Sequence, residues 1–163
     1  MTLAYFAHAM TGRSWRERSA RAAEIREIME RRGVRLLDPG RGLEPFDMFD
    51  IKAECLDMVC ACVGDHVAKA LATDDILIVA RALHDMRACD VMIVDGEGMD
   101  APSAGVCVEI GYARALGKPI LGILASNHPL MRSPMTRTLF AFYHVKAEVV
   151  AGVAATFGGH HGA

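Results

Sequence analysis

Short apolar runs alternate along the chain with longer stretches whose apolar residues recur at helical spacing. The runs at residues 3–7 and 91–94 are almost entirely apolar, which is typical of strands buried on both faces of a parallel sheet. A stretch with helical spacing follows Asp74, and its apolar stripe is formed by Ile76, Leu77, Ala80, Leu83 and Met86. This alternation predicts βαβ units and a parallel sheet.

The pattern predicts an α/β fold built on a doubly wound, five-stranded parallel sheet flanked by helices. We expect a Rossmann-like arrangement with the flavodoxin-like strand order 2-1-3-4-5. The predicted strands cover residues 3–7, 34–37, 91–94, 120–124 and 140–145. The predicted helices cover residues 15–32, 75–87, 104–116 and 147–157. Residues 41–72 fit two short helices or one broken helix. We expect one domain over residues 1–157 and a flexible tail over residues 158–163.

Composition and charge narrow the class of partner. The 163 residues carry a net charge of −2 and are 52% hydrophobic and 23% charged, which indicates a globular domain with an ordinary core rather than a disordered chain. Arginines are frequent between Arg13 and Arg32, but glutamates interleave with them, so this stretch is typical of a solvated helix face. Aromatic residues make up only 6% of the chain. We therefore expect no nucleic-acid polymer as a partner.

The sequence also predicts no membrane association. No apolar run reaches the roughly 18 residues of a membrane span, and the first residues lack the pattern of a signal peptide. The five cysteines are odd in number and lie in apolar surroundings, which favours a reduced, cytoplasmic setting. Cys60, Cys62 and His66 form an incomplete metal motif, so buried thiols are the preferred interpretation. We expect neither a metal nor an organic cofactor.

Candidate chemistry lies where the predicted strands end, because ligands of open parallel sheets bind at the carboxyl ends of the strands. The motifs G-x-G-x-x-G and G-x-x-x-x-G-K-[ST] are both absent, which excludes the usual dinucleotide and P-loop sites. The loop before residue 104 is rich in small residues and leads into a helix, where free backbone N–H groups and the Ser103 hydroxyl could hold a phosphate. Glu109 lies between Val108 and Ile110 on the same helix. A carboxylate in such surroundings is either paired structurally or functional, and spacing alone leaves both open.

Three further motifs point to a known family. The first motif begins at Ser103 and reads Ser-x-Gly-x-x-x-Glu-Ile-Gly-x-Ala-x-Ala-x-x-Lys. The second begins at Ser133 and reads Ser-Pro-Met-Thr-Arg. The third consists of Tyr5-Phe6, followed by a Gly-Arg turn at Gly12. Together these segments resemble the nucleoside 2-deoxyribosyltransferase superfamily, and most closely its 2′-deoxynucleoside 5′-monophosphate N-glycosidase branch. The resemblance spans residues 4–14 and 83–143.

The resemblance implies a role for several residues. Glu109 would attack or stabilise C1′ of the sugar, and Tyr5 would orient this carboxylate. Asp95 would contact the sugar or the base, unless it only caps its loop. The 5′-phosphate would be held by Ser103, the Gly105 amide and Ser133 of a neighbouring subunit. The remaining substrate-binding positions would be His8, Met10, Gly12, Arg13 and Met135.

One departure from the family pattern concerns the departing base. In family members an aspartate assists the departure of the base. It lies eight residues before the aspartate that opens the third strand. In this chain Asp90 opens that strand, and the residue eight positions earlier is Ala82. Three explanations are open: an engineered inactivating substitution, transfer of the role to Asp85, or loss of hydrolysis. His8 and His84 are further candidates for the missing acid.

The residues and the resemblance together predict hydrolysis of the N-glycosidic bond of a nucleoside 5′-monophosphate. The products would be a free base and ribose or deoxyribose 5-phosphate. One alternative is base exchange by a deoxyribosyltransferase, and another is a nucleotide-binding sensor that has lost the chemistry. Because Ser133 would serve a neighbour's site, we expect at least a homodimer. Neither the base nor the tolerance of a 2′-hydroxyl follows from the sequence.

Overall fold

The computed structural model describes residues 1–8, 15–38 and 75–158. The strands are β1 (Thr2–His8), β2 (Val34–Leu37), β3 (Val91–Asp95), β4 (Ile120–Ile123) and β5 (Phe142–His144). The helices are α1 (Trp15–Glu30), α2 (Asp75–Ala88), α3 (Ala104–Ala115), α4 (Pro129–Arg132), α5 (Pro134–Arg137) and α6 (Ala147–Ala154), and a 3₁₀ turn over Ala155–Phe157 follows α6.

The five strands form one sheet in the order β2-β1-β3-β4-β5, and every neighbouring pair is parallel. This confirms the predicted α/β fold class and strand order. In register, His8 at the end of β1 is the partner of Asp95 at the end of β3. The two central strands therefore end side by side at the carboxyl edge of the sheet, where the sequence places its candidate chemistry.

The sheet buries apolar side chains on both faces. Tyr5, Met92 and Ile110 belong to the core between the sheet and the helices α2 and α3. Phe6 and Ile93, one residue further along β1 and β3, belong to the opposite core, beneath α1 and α6. Successive strand residues point to opposite faces, so strands covered on both sides need apolar residues at every position. This two-sided burial accounts for the continuous apolar runs in the sequence.

Several predicted boundaries differ from the structure at the ends of elements. Helix α1 ends at Glu30 rather than residue 32, because the chain turns there and Gly33 takes a left-handed φ of 73°. Strand β5 has three residues rather than the six predicted. The short helices α4 and α5 were not predicted, and each begins with a proline at its first position.

Some predicted features lie outside the described residues. These are the helical segment at 41–72 with Cys60, Cys62 and His66, and the tail from residue 159 onward. None of the helices within residues 1–8, 15–38 and 75–158 has the length and hydropathy that a membrane crossing requires.

Two polar contacts hold the amino edge of the sheet. The Asp90 carboxylate accepts a hydrogen bond from the Leu3 N–H at 2.8 Å, and the Asp90 N–H donates to the Leu3 carbonyl at 2.7 Å. The Lys118 ammonium donates to the carbonyls of Arg87 and Cys89 at the end of α2. These contacts tie α2 and the end of α3 to the start of β3, so that both helices are fixed on the same face of the sheet.

A pair of glycines provides a test of packing in this fold. We expect Gly122→Ala to lower the free energy of unfolding by about 1–3 kcal/mol, because the added methyl would lie 2.9 Å from Leu124 Cγ and 3.1 Å from Phe140 Cε1. Gly152→Ala is the control, since nothing lies within 4 Å of its added methyl. A helical alanine there should raise the free energy by about 0.5–1 kcal/mol. Urea unfolding measures both; equal effects would contradict the packing around Gly122.

Candidate active site

A hydrogen bond between a strand and a helix forms the centre of the site. The Tyr5 hydroxyl donates to Glu109 Oε1 at 2.7 Å. Tyr5 is fully buried in the middle of β1, whereas Glu109 is partly buried on the second turn of α3. Because β1 and α3 pack against each other, the carboxylate is held at a defined place beside the sheet.

The surroundings act on both titratable groups. Burial raises the pKa of Glu109, while the hydrogen bond from Tyr5 and the nearby His8 oppose this rise. Burial and the charge of Glu109 raise the pKa of the Tyr5 hydroxyl far above its ordinary value, with smaller contributions from Asp85 and Asp38. Tyr5 therefore keeps its proton and remains a donor to the carboxylate across the physiological pH range.

A cavity of about 360 Å³ lies over Glu109, between α2 and α3. Its walls are Val79, Ala82, Leu83 and Met86 from α2, and Ala104, Gly105, Val108, Glu109 and Tyr112 from α3. Among the described residues of this lining, Glu109 is the one acidic side chain. A carboxylate in an apolar cavity is poorly hydrated, which favours its attack on an electrophilic carbon.

The start of α3 leaves polar groups available beside this cavity. Ser103 precedes the helix with an extended backbone, and its hydroxyl makes no capping hydrogen bond. Gly105 is exposed, and a methyl group added there would meet nothing within 4 Å except Ser103 Oγ at 3.9 Å. The hydroxyl and the free N–H groups of a 12-residue helix can therefore approach an anion closely.

The structure places Asp95 away from the Glu109 cavity. The Asp95 side chain is 2% exposed, and it accepts hydrogen bonds from Arg21 Nε at 2.8 Å and from Arg21 NH2 at 3.2 Å. Asp95 Oδ1 also accepts from the Glu97 N–H at 3.3 Å. Asp95 lines a separate cavity of about 290 Å³ that also includes His128. These contacts are those of a loop cap and an ion-pair partner.

The two α2 residues singled out by the sequence lie in different environments. Ala82 is 7% exposed and forms part of the cavity wall. Asp85 is 2% exposed, and its charge acts on Tyr5. Among the α2 side chains that the structure describes, none in the cavity lining is titratable, while Asp85 influences the site through the phenol.

The remaining predicted residues are distributed over the carboxyl edge and the surface. His8 ends β1, whereas Met10, Gly12 and Arg13 lie outside the described residues. Ser133 precedes α5 and is exposed, and the Met135 side chain is 81% exposed. Neither belongs to the lining of the Glu109 cavity in this single chain.

Sequence reasoning missed the ion pair of Arg21. It assigned this arginine to a solvated face, but its side chain is only 16% exposed and it also contacts Glu24 at 2.9 Å and Glu97 at 3.0 Å. Although burial opposes it, hydrogen bonding to Asp95 raises the pKa of Arg21 above its ordinary value. The available signal was spacing, since Arg21 adjoins Ala22 and precedes Ile25 on the buried side of α1.

The described residues contain no group of three or more His, Cys, Asp or Glu side chains placed to hold a metal ion.

Comparison with known proteins identifies the family. Residues 4–155 match the family described as nucleoside 2-deoxyribosyltransferase. The chain belongs to this family. No curated protein sequence matches it significantly.

Two solved structures share the fold of this member of the nucleoside 2-deoxyribosyltransferase family. The CMP N-glycosidase BcmB of Clostridium botulinum is 17% identical, with a TM-score of 0.51 over 93% of this chain and 97% of the other. The 2-deoxyribosyltransferase of Bacillus psychrosaccharolyticus is 13% identical, with a TM-score of 0.55 over 91% of this chain and 90% of the other.

The Tyr5–Glu109 contact predicts how Glu109 titrates. We expect Tyr5→Phe to raise the pKa of Glu109 further. The substitution removes a hydrogen-bond donor that stabilises the ionised carboxylate, so the phenol no longer opposes the effect of burial. Tyr112→Phe is the matched control, since Tyr112 lines the same cavity and stacks with Arg87. NMR titration of ¹³C-labelled glutamate carboxyl groups measures both variants. An unchanged Glu109 titration in Tyr5→Phe would contradict this role for the phenol.

Proposed function

We propose that this protein hydrolyses the N-glycosidic bond of a nucleoside 5′-monophosphate, releasing the base and ribose or deoxyribose 5-phosphate. The observation that carries this proposal is the hydrogen-bonded pair of Tyr5 and Glu109 in a cavity beside the uncapped start of α3. Membership of a family that acts on N-glycosidic bonds supports the reaction class. The proposed chemistry uses the protein's own side chains, without a metal or an organic cofactor.

In this proposal Glu109 attacks C1′ as the bond to the base breaks. The positive charge that develops at C1′ is stabilised by the carboxylate, and a glycosyl ester forms. Water then attacks C1′ and releases the sugar phosphate. Tyr5 keeps one carboxylate oxygen hydrogen-bonded at 2.7 Å, which leaves the other oxygen to face the substrate.

The phosphate site is proposed at Ser103 and the Gly105 amide. The positive end of the α3 dipole and the free N–H groups favour an anion there. Glu109 lies about 9 Å further along the helix axis, since each helical residue rises about 1.5 Å. This separation is compatible with the extended distance between a 5′-phosphate and C1′. An aspartate at position 103 would repel the phosphate, whereas the serine present does not.

We propose that a second subunit completes the phosphate site. Ser133 and Met135 are exposed and lie outside the Glu109 cavity of their own chain. Val79 and Val108, on the rim of that cavity, are 54% and 72% exposed, so the cavity mouth has an apolar surface that a homodimer would cover. Ser133 of the neighbour would then supply one more hydroxyl to the phosphate.

Asp95 and Asp85 have less direct roles in this proposal. The ion pair with Arg21 favours the loop-capping role of Asp95 over contact with sugar or base. Asp85 acts on Tyr5 rather than through the cavity lining. In this proposal neither residue is the acid that assists the departing base.

A panel of nucleoside monophosphates and nucleosides tests the activity. We expect base release from a monophosphate in the absence of any acceptor base, and at most weak release from the matching nucleoside. Chromatography of the released base measures both. Release only after an acceptor base is added would instead identify a transferase, and calorimetric binding without turnover would identify a sensor.

Ser103→Asp tests the phosphate site on the best monophosphate found. We expect KM to rise at least tenfold, because like charges would face each other beside a partly desolvated helix end. Thr156→Asp is the control, since it adds the same charge on an exposed residue near the amino edge, where the Thr2 hydroxyl bonds to Ala155. Equal kinetics for both variants would contradict the assignment of Ser103.

Mixing two inactive variants tests the shared site. Glu109→Gln removes the nucleophile, and Ser133→Asp places a negative charge at the neighbour's phosphate while preserving a good N-cap for α5. We expect an equimolar, re-associated mixture to recover about a quarter of the wild-type activity, because half of random dimers are mixed and one of their two sites is intact. Activity no higher than that of the separate variants would contradict a site built from two chains.

A further inference from the structure

A histidine and an aspartate meet where β1 and β2 end. The His8 side chain is 10% exposed, and its Nε2 lies 3.7 Å from Asp38 Oδ1. His8 stacks on Phe6, with ring centroids 5.1 Å apart. Nε2 is buried and has no hydrogen-bond partner within the part of the chain that the structure describes. Packing against Phe6 and the nearby Asp38 carboxylate therefore hold the imidazole in place. Nε2 itself makes no hydrogen bond to a described residue.

This imidazole ends β1 on the face of the sheet that carries Phe6 and α1, opposite the Glu109 cavity, so a base lying over the end of β1 would contact both faces. His8 follows Tyr5 by three residues, about 10 Å along a strand, and its charge acts on Glu109. Within the part of the chain that the structure describes, charged and titratable groups from several elements neighbour it. They are Tyr5 on β1, Asp38 after β2, Asp95 next to it in the β1–β3 register, Arg26 of α1 at 3.7 Å from Asp38, and Glu109 on α3.

The reaction proposed above needs a proton donor for the departing base. Ala82, in the cavity wall, has no proton to give. Tyr5 already donates to Glu109, and its pKa is raised far above its ordinary value, so it is a poor acid. Asp85 is 2% exposed, and its charge acts on Tyr5, whereas the charge that acts on Glu109 is that of His8. Among the described groups that interact with Glu109 or Tyr5, His8 is the one imidazole.

We propose that His8, oriented by Asp38, is the general acid that protonates the departing base; this inference rests on the proposed function. As the C1′–N bond breaks, its electron pair goes to the base, and the proton of the His8 imidazolium moves to a ring nitrogen or carbonyl oxygen of the base. Glu109 forms the bond to C1′ at the same time.

The second half of the reaction restores both residues. Neutral His8 accepts a proton from the attacking water, the water oxygen bonds to C1′, and the C1′–Glu109 bond breaks to return the carboxylate. Imidazole suits both steps, because its ordinary pKa lies near neutral pH and it can donate and accept in turn. The Asp38 carboxylate stabilises the imidazolium and fixes the ring, as carboxylates do beside catalytic histidines.

Kinetics of His8→Asn and His8→Gln test this role. We expect kcat on the best monophosphate to fall by about 10²-fold or more, and the loss of activity at alkaline pH, which reports deprotonation of the acid, to disappear from the profile. His84→Asn tests the second histidine candidate, which the structure places on the exposed side of α2. It should leave both kcat and the pH profile unchanged.

A leaving-group series separates acid catalysis from a structural effect. Substrates whose bases depart easily, such as 5-halogenated pyrimidine or 7-methylated purine nucleotides, need little protonation. We therefore expect the His8 variants to lose less than about threefold on these substrates, so that kcat depends more steeply on the basicity of the base than in the wild type. If His8 had only a structural role, its replacement would lower kcat by the same factor on every substrate.

Asp38→Asn tests the orienting carboxylate. Without the carboxylate the ring loses its ion-pair partner, so we expect kcat to fall and to depend more steeply on the basicity of the departing base, while a partial rate remains. Circular dichroism and binding of ribose 5-phosphate show whether each variant is folded and has kept its sugar phosphate site.

Three results would overturn the assignment of His8. The first is an unchanged alkaline decline in the His8 variants. The second is transfer of both effects to Asp85→Asn. The third is Ala82→Asp raising kcat about 10²-fold and making His8 dispensable. If the wild-type protein hydrolyses monophosphates, any of these three results rules out the role of His8 alone. If it hydrolyses no monophosphate, the proposed function is ruled out as well.

Discussion

The hydrogen bond from Tyr5 to Glu109 is the contact on which the candidate site depends. It joins β1 to α3, whose uncapped start is the proposed phosphate site, over 104 residues of sequence. Burial alone would favour a neutral Glu109, which could not act as a nucleophile. The hydrogen bond from the phenol partly opposes this effect, and Tyr5 is itself fully buried. The strand thus provides both the position and the electrostatic support of the carboxylate.

The alternation of side chains along the parallel strands divides the carboxyl edge into two regions. Tyr5 and the α2 and α3 helices form an apolar cavity on one face, suited to a sugar and a nucleophile. On the α1 face, Asp95 pairs with Arg21, and His8 lies beside Asp38. A ligand over the end of β1 would contact both regions. In this arrangement charged groups remain paired on one face, while Glu109 stays poorly hydrated on the other.

The sequence predicted the fold class and strand order correctly. It made Glu109 a candidate because an acidic residue interrupts an apolar helix face, and the catalytic role came from the resemblance to a family. Tyr5 and Ser103 were found largely by resemblance to a family, since a buried tyrosine and a helix-capping serine are common in structures without catalytic roles. The pairing of Arg21 with Asp95 could not be predicted, because these residues are 74 positions apart and a basic residue between glutamates is usually solvated. Helices α4 and α5, with four residues each, are too short to show a periodic pattern.

Beyond the fold class and strand order, what the sequence determined by itself is local. Apolar runs buried on both faces, turns with glycine and proline, and a small-residue start of a helix follow from the preferences of neighbouring residues. Only the tertiary structure decided which side chains meet across the sheet: the phenol with Glu109, Arg21 with Asp95, and His8 with Asp38. Such contacts depend on strand order and register, which bring distant segments to within a few ångströms, and no local pattern encodes that distance.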